Sequence, residues 1–336
     1  MKKIILTILA TAISGNLDIA ASDQSSSSDQ GLHHGYRVVH GWPQLQQGRV
    51  LGAVPGVGID TQGNIYVFHR NDRTWPPSDE LATTPIAGPT VTVFDSQTGM
   101  VVAQWGDNTF AMPHGLTVDR NDNVWLTDVA LHQVYKYTIE GELLLTLGER
   151  GVSGDDAAHF NRPTDVAVAA DGTVFISDGY RNTRVMEFSP NGSFVGQWGT
   201  SGDGPGEFNV PHGLSMDNDG RIYVADREND RIQVFDQAGY FLEQWKSDVI
   251  GRPYGISIAH NSTALITDGG EQPDNPPDRS GVVILNLDGS TIERFGRWGN
   301  YDGQFQMAHD VAMAKDGAVY VADIIGGRVQ KFVVGK

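Results

Sequence analysis

The chain has no cysteine among its 336 residues. Disulfide bonds, thiolate metal sites and a cysteine nucleophile are therefore excluded, and any bound metal must use nitrogen or oxygen ligands. Positive charge is also scarce, because 24 lysines and arginines face 41 aspartates and glutamates, which gives a net charge of −17. Such an acidic surface repels phosphate groups and so disfavours nucleic acid and anionic lipid as partners.

Long hydrophobic runs are absent as well, since none approaches the roughly eighteen apolar residues of a membrane-spanning helix. Near the N-terminus, two lysines precede a shorter apolar run that ends near Ile13, and small residues follow at Ala20 and Ala21. This order is typical of a signal peptide. We therefore predict that residues 1–21 direct export, either to a periplasm or out of the cell, and are then removed.

The segment after the predicted signal peptide is polar and rich in serine. Such a composition predicts a disordered linker over residues 22–35. The remaining residues, 36–336, are expected to form one folded domain without a membrane anchor. We expect this domain to be a monomer.

Glycine and proline are abundant, with 41 and 15 residues, and they punctuate a motif that occurs six times. Each copy contains a turn, an apolar strand, an acidic turn and a second apolar strand, as in PHGLTVDRNDNVWLTDV and PHGLSMDNDGRIYVADRE. Self-similarity at such a period indicates a repeat architecture. The six copies begin at Val54, Pro113, Pro163, Pro211, Pro253 and Ala308.

Each repeat has the size and pattern of a propeller blade. Short alternating segments, such as residues 124–127, 134–137 and 143–147, predict a four-stranded meander in every copy. The sequence therefore predicts an all-β, six-bladed β-propeller, and its repeats resemble those of the NHL type. The sixth copy ends after its third strand, so we expect residues 36–41 to supply the fourth strand and close the ring.

Histidine occupies the second position of copies two, four and six, at His114, His212 and His309. Residues at one register on alternate blades lie about 120° apart around the central channel, so these imidazoles can converge. A histidine taken alone is more often a packed side chain than a ligand. Three at one register predict a metal site with an open fourth position, as in catalytic zinc sites, although imidazole also binds iron, copper and nickel.

Three further residues are expected at the same end of the channel, in the loops that follow the second strands: Arg70, Tyr180 and Arg227. An arginine fork suits a carboxylate, which favours a small anionic substrate such as a C-terminal glycine derivative. Tyr180 is a candidate base, because a nearby cation and two arginines favour the phenolate. Alternatively, the arginines form structural ion pairs with neighbouring carboxylates such as Glu228.

Several longer phrases occur in order along residues 54–332: FHRND, PHGLTVD, TDVALHQV, PTDVAV, SDGYRNTR, PHGLSM, ADRENDRIQ and AHDVA. In these phrases the sequence resembles the peptidyl-α-hydroxyglycine α-amidating lyases, the second catalytic domain of the peptide-amidating monooxygenase. The resemblance implies a lyase that splits peptidyl-α-hydroxyglycine into a peptide amide and glyoxylate. It implies zinc on His114, His212 and His309.

The resemblance also implies active-site roles for Arg70, Tyr180, Arg227 and Met307. The chain departs from the animal members of the family at the loop of the tyrosine, where Arg181 stands in place of a cysteine. The disulfide support of that loop is therefore missing. No implied metal ligand or catalytic residue is lost.

A second metal is implied by the same resemblance, namely a structural calcium in the channel. Its ligands would be the backbone carbonyl groups of Val57 and Leu116 and the carboxylate of Asp310, and oxygen ligands suit this hard cation. Two alternative functions stay open at this point. One is a metal-dependent lyase or lactonase acting on another small substrate, and the other is a non-catalytic NHL propeller that binds a protein or a glycan.

Overall fold

The computed structural model describes residues 35–270 and 279–335. The predicted signal peptide and the predicted linker up to residue 34 lie outside the described residues, so both stay predictions. Within the described part, no helix has the length and apolar character that crossing a membrane requires.

Nearly all regular structure in the described part is β-strand, arranged in six four-stranded antiparallel sheets. The chain starts with β1 (Tyr36–Val38), and blade one contains β2 (Gly56–Ile59), β3 (Ile65–Phe68), β4 (Val91–Phe94) and β5 (Val101–Trp105). Blade two contains β6 (Pro113–Val118), β7 (Val124–Asp128), β8 (Gln133–Tyr137) and β9 (Leu143–Leu147). Blade three contains β10 (Asp165–Val168), β11 (Val174–Asp178), β12 (Arg184–Phe188) and β13 (Phe194–Trp198).

A short parallel pair, β14 (Thr200–Ser201) and β15 (Glu207–Phe208), precedes blade four. Blade four contains β16 (Pro211–Met216), β17 (Ile222–Asp226), β18 (Arg231–Phe235) and β19 (Phe241–Trp245), with a 3-10 turn at Arg227–Asn229. Blade five contains β20 (Pro253–Ile258), β21 (Thr263–Asp268), β22 (Gly281–Asn286) and β23 (Thr291–Phe295). Blade six contains β24 (Ala308–Met313), β25 (Val319–Asp323) and β26 (Arg328–Val334), and β1 joins it as the outermost strand.

The first strands of the six blades surround a central channel. Each contacts the first strand of the next blade, and β24 of blade six contacts β2 of blade one. A cavity of about 290 Å³ is lined by residues from all six of these strands. The predicted six-bladed β-propeller is therefore confirmed.

Apolar side chains fill the spaces between neighbouring blades. Trp125 of blade two, for example, is fully buried against a cluster that includes Val174 and Ile176 of blade three. Strands covered on both faces are expected to be mainly apolar, and the fully buried β7 (VWLTD) and β11 (VFISD) each begin with three apolar residues. The packing of blade on blade, repeated around the ring, makes the channel a rigid frame.

A buried aspartate ends the second strand of five blades and fixes the loops at one mouth of the channel. Asp178 accepts hydrogen bonds from the backbone N–H of Asn161, at 2.8 Å, and from the side chain of Asn182, at 2.6 Å. These bonds hold the loop that carries Tyr180. The five aspartates are Asp128, Asp178, Asp226, Asp268 and Asp323.

The N-terminal strand closes the ring, as the sequence predicts. β1 pairs antiparallel with β26, with Tyr36 opposite Val334 and Val38 opposite Phe332. The regular strand is shorter than the predicted residues 36–41. The chain then turns so that buried Trp42 packs against Tyr320 of blade six, with ring centroids 4.9 Å apart.

Tyr36 provides a test of this closure. Its ring stacks on Phe295 at 4.8 Å and its hydroxyl donates to the carbonyl of Gly317 at 3.2 Å. We expect Tyr36→Ala to lower the free energy of unfolding by about 2 kcal/mol, because the half-buried ring and its hydrogen bond are lost. The neighbouring Arg37 is exposed, so Arg37→Ala should change it by less than about 0.5 kcal/mol. Equal effects in chemical denaturation would contradict the closure role.

Candidate metal centre and active site

The three histidines at the shared register meet in the channel. Their ring centroids lie 4.8, 4.8 and 4.9 Å apart. One ring nitrogen from each lies within 4.8 Å of the others, and all three side chains are buried. The structure thus brings His114, His212 and His309 close enough to share one ion.

A hydrogen bond to the neighbouring blade orients each imidazole. In every case the acceptor is the backbone carbonyl of the residue at the same register in the next blade. Because a carbonyl oxygen can only accept, the bond places a proton on Nδ1 and leaves the lone pair of Nε2 available. The three bonds join His114 to Thr164 at 2.8 Å, His212 to Tyr254 at 2.8 Å and His309 to Pro55 at 2.7 Å.

The environment keeps these imidazoles uncharged. Burial lowers the pKa of all three, that of His309 to about 3, and the positive charge of Arg227 acts in the same direction. The neutral imidazole is the form that binds a metal. The donor set therefore fits a divalent cation that accepts nitrogen ligands, and zinc is such a cation.

Tyr180 places its hydroxyl directly beside the histidine nitrogens. Its oxygen lies 3.0 Å from Nε2 of His114 and 3.2 Å from Nε2 of His212. The ring lies between Trp75, with centroids 5.2 Å apart, and Arg227, whose guanidinium carbon is 5.3 Å from the ring centroid. A substrate atom next to the histidines would therefore contact this phenol too.

Arg70 has a buried side-chain donor that is available to a ligand. It is 2% exposed, and its Nε donates to the carbonyl of Pro113 at 2.8 Å. Its buried Nη2 has no hydrogen-bond partner among the described residues. Burial lowers the pKa of Arg70 to about 10, so the group stays charged at neutral pH. A buried, charged donor without an acceptor is costly unless a ligand supplies one.

Arg227 has a different environment. Its Nη2 and Nε contact Oε1 of Glu228 at 2.9 and 3.0 Å, and Glu228 also pairs with Arg252. The guanidinium lies over the rings of Tyr180 and Tyr254, at 5.3 and 4.9 Å from their centroids. Arg227 thus forms the structural ion pair with Glu228 that the sequence left open as an alternative. Arg70 contacts no carboxylate among the described residues.

A large cavity opens above the histidines, with a volume of about 950 Å³. It brings together Arg70, Tyr180, Arg227, Met307 and His309, all of which the sequence assigns to the site. Other residues that line this cavity were not predicted from the sequence. Tyr254 could have been found, because it occupies the histidine register in copy five, whereas Trp75 lies in a long insertion after β3 that has no counterpart in the repeats.

The lower part of the channel contains the residues implied for calcium. Val57, Leu116 and Asp310 line the cavity of about 290 Å³, and Asp310 Oδ2 accepts the N–H of Val57 at 2.9 Å. A second carboxylate, Asp165, lines the same cavity and was missed from the sequence. The repeat alignment contains the signal, because the third position is aspartate in blades three and six and glycine in the other four.

Glycine at that register leaves room for both carboxylates. A Cβ on Gly115 would lie 2.9 Å from Oδ1 of Asp165, and one on Gly255 would lie 3.1 Å from Oδ1 of Asp310. Burial raises the pKa of Asp310 to about 7, and burial together with the charge of Asp310 raises the pKa of Asp165 well above its usual range. Two buried carboxylates favour a cation between them, so the oxygen donors fit a hard metal ion.

Comparison with known proteins identifies the family. An NHL repeat model matches residues 208–235. The chain is 32% identical over 305 residues to peptidyl-alpha-hydroxyglycine alpha-amidating lyase 2 of Drosophila melanogaster, which covers 85% of this chain and 72% of that protein. The chain belongs to the peptidyl-α-hydroxyglycine α-amidating lyase family. The family resemblance inferred from the sequence motifs is therefore confirmed.

A second relative is much longer than this chain. Peptidyl-glycine alpha-amidating monooxygenase B of Xenopus laevis is 39% identical over 312 residues, which cover 88% of this chain and 35% of the frog protein. The chain thus spans about a third of the length of that relative. A solved streptogramin B lyase has a TM-score of 0.59 at 12% identity and covers 90% of this chain and 98% of its own, which shows the fold alone.

Histidine titration tests the electrostatics of the site. In chelator-treated protein, we expect NMR titration to show lowered pKa values for all three histidines, with that of His309 near 3 and those of His114 and His212 well below 6.5, because burial disfavours the imidazolium. The partly buried His159, which lies outside the channel, is an internal control, since its hydrogen bond to Asp156 raises its pKa above 6.5.

The same shifts predict how stability varies with pH. The unfolded chain takes up protons near pH 6.5 that the folded site excludes, so the chelated protein should lose stability as the pH falls below about 6.5. Site histidines that titrate with ordinary midpoints would contradict this description.

Proposed function

We propose that this chain is a metal-dependent lyase that cleaves peptidyl-α-hydroxyglycine into a peptide amide and glyoxylate. One observation carries the proposal: the buried, unpartnered Nη2 of Arg70 lines the same cavity as His309 and Tyr180. A carboxylate would satisfy that donor, and an α-hydroxyglycine ends in a carboxylate next to its hydroxyl group. The family to which the chain belongs is named for this substrate, which supports the proposal.

His114, His212 and His309 would hold zinc through Nε2. The metal would supply Lewis acidity, which lowers the pKa of a hydroxyl group beside it. The hydrogen bonds from Nδ1 to the next blades keep the three Nε2 atoms in place, so the site is preorganised for an ion.

Arg70 binds the substrate carboxylate in this mechanism. Its free Nη2 donates to one carboxylate oxygen while Nε stays bonded to the carbonyl of Pro113. Arg227 contributes positive charge beside Tyr180 and the substrate, although Glu228 holds its fork. With the carboxylate fixed by Arg70, the carbinol carbon and its hydroxyl lie toward the histidines and Tyr180.

Tyr180 moves the proton. As phenolate it accepts the proton of the carbinol hydroxyl, and the oxygen electrons form the carbonyl of glyoxylate while the C–N bond breaks. The leaving amide nitrogen takes up a proton, which the phenol can return from the same oxygen. The proton thus passes from oxygen to nitrogen, no electrons are gained or lost overall, and no redox partner is needed.

We further propose that a calcium ion in the lower channel stabilises the propeller. Asp310 and the backbone carbonyl groups of Val57 and Leu116 would bind it, and Asp165 faces the same cavity as a second carboxylate. A divalent ion there would neutralise two buried negative charges. Its role would be structural, because this cavity is separate from the one that contains Arg70 and Tyr180.

The direct test of the proposed function is incubation with α-hydroxyhippurate and detection of glyoxylate. We expect glyoxylate release by the purified chain, loss of release after treatment with a chelator, and recovery on addition of Zn²⁺, because the histidine site supplies the Lewis acid. Addition of Ca²⁺ alone should restore thermal stability without restoring release. Metal-loaded protein that releases no glyoxylate from any hydroxyglycine compound would overturn the proposal.

Two variants test the assigned roles. Tyr180→Phe should lower kcat by about 10²-fold or more without loss of zinc, because only the proton-transfer group is removed. Arg70→Gln should raise KM by about 30-fold or more, because the carboxylate loses a buried charged donor. Exposed residues of the same types serve as controls, and Tyr240→Phe and Arg49→Gln should match the wild type. Wild-type kcat in Tyr180→Phe would exclude the base role.

A further inference from the structure

We propose that Trp75, Ile324 and Ile325 form a subsite for an apolar side chain, that of the residue preceding the hydroxyglycine in the peptide substrate. This inference rests on the proposed function, because it assumes that the hydroxyglycine end of a peptide occupies the floor of the same cavity. It adds a preference that neither the histidines nor Tyr180 can provide.

The cavity has room for more substrate than the reacting end alone. A volume of about 950 Å³ lies near the upper limit for small-molecule sites. Arg70 and Tyr180 reach only a carboxylate and a hydroxyl at the floor. With the carboxylate held there, the amide nitrogen of the hydroxyglycine faces the open part of the cavity, so the preceding residue enters the space beside Trp75 and Ile325.

Ile324 and Ile325 lie at a position that serves the site in other blades. Ile324 is the first residue and Ile325 the second after Asp323, the buried aspartate that ends the second strand. In blade three the second residue after Asp178 is Tyr180, and in blade four the first residue after Asp226 is Arg227. The backbone N–H of Ile324 donates to the carbonyl of Met307 at 3.1 Å, which fixes the loop against another lining residue.

Ile325 is exposed at the rim of the cavity, with 60% of its surface accessible to solvent. An isoleucine in contact with water gains free energy when an apolar group covers it. A single exposed isoleucine is ordinary on a protein surface, but this one borders the cavity that contains the proposed catalytic groups. Its position therefore suits contact with an incoming side chain.

Trp75 also lines the cavity and is held in place before substrate arrives. Its indole Nε1 donates to Oδ1 of Asp79 at 2.9 Å. Asp79 in turn accepts two hydrogen bonds from Arg162, at 2.8 and 2.9 Å, and pairs with Arg181. The insertion from blade one is thus tied to blade three, and the indole presents a fixed apolar face next to Tyr180.

The arginines around the outer part of the cavity already contact carboxylates. Arg162 and Arg181 both contact Asp79, and Arg227 contacts Glu228. Arg70 is reserved for the terminal carboxylate in the proposed mechanism. The uncharged part of the lining therefore suits contact with a preceding apolar side chain.

The experiment measures kcat/KM for a series of N-acetyl-X-α-hydroxyglycine compounds, with X as Phe, Leu, Gly, Asp or Lys. We expect the wild type to prefer Phe and Leu over Gly by about 10-fold or more, because the apolar wall is buried by the side chain. Ile325→Ser should reduce this preference by lowering kcat/KM for Phe and Leu more than for Gly. Ile325→Asp should shift the preference toward Lys, which a purely structural role of Ile325 would not do.

The control variant is Ile292→Ser, because Ile292 is also exposed, at 41%, and lies on an outer strand outside the cavity lining. It should retain the wild-type preference. Equal rates with all five compounds, or an unchanged preference in both Ile325 variants, would overturn the subsite while the proposed function stands. Absence of glyoxylate release from every compound would overturn the proposed function and the subsite with it.

Discussion

The hydrogen bond from each site histidine to the backbone of the next blade is the interaction on which the centre depends. Since only blades two, four and six carry the histidines, the acceptors fall on blades three, five and one. The bond from His309 to Pro55 spans the point where the last blade meets the first. The arrangement of the three histidines therefore depends on closure of the ring. β1 and Trp42 provide this closure by packing on blade six, although they precede blade one in the sequence.

Two adjacent positions of the first strands divide the channel into chemically different regions. The second position of the repeat carries the three histidines, which lie below the cavity that contains Arg70 and Arg227. The third position carries Asp165 and Asp310, which line the smaller cavity. His309 and Asp310 are neighbours in the chain, and His309 lines the cavity of Arg70 whereas Asp310 lines the lower cavity. If both proposed ions bind, the nitrogen ligands would favour a borderline metal such as zinc, and the carboxylates and carbonyls would favour a hard one.

Much of this arrangement could be predicted, because a repeated unit converts sequence register into position around the ring. The blade count, the closing strand and the convergence of His114, His212 and His309 all follow from one alignment. Asp165 was within reach of the same alignment, one position further along. Trp75 and Asp79 were not, because they lie in an insertion between β3 and β4 whose path is set by contacts with blade three and by no repeat pattern.

The loop of Tyr180, the proposed base, is held in place by hydrogen bonds in a chain without cysteine. Asp178 holds the loop from below through Asn161 and Asn182. On its other side, both carboxylate oxygens of Asp79 accept hydrogen bonds from Nη1 of Arg162, and Asp79 also pairs with Arg181, which is next to Tyr180 in the chain. A single partly exposed ion pair contributes little to stability. The contacts of Asp79 with Arg162 and Arg181 therefore fix the orientation of the loop more than they stabilise the fold. Tyr180 depends on that orientation, because its hydroxyl must lie beside the histidine nitrogens.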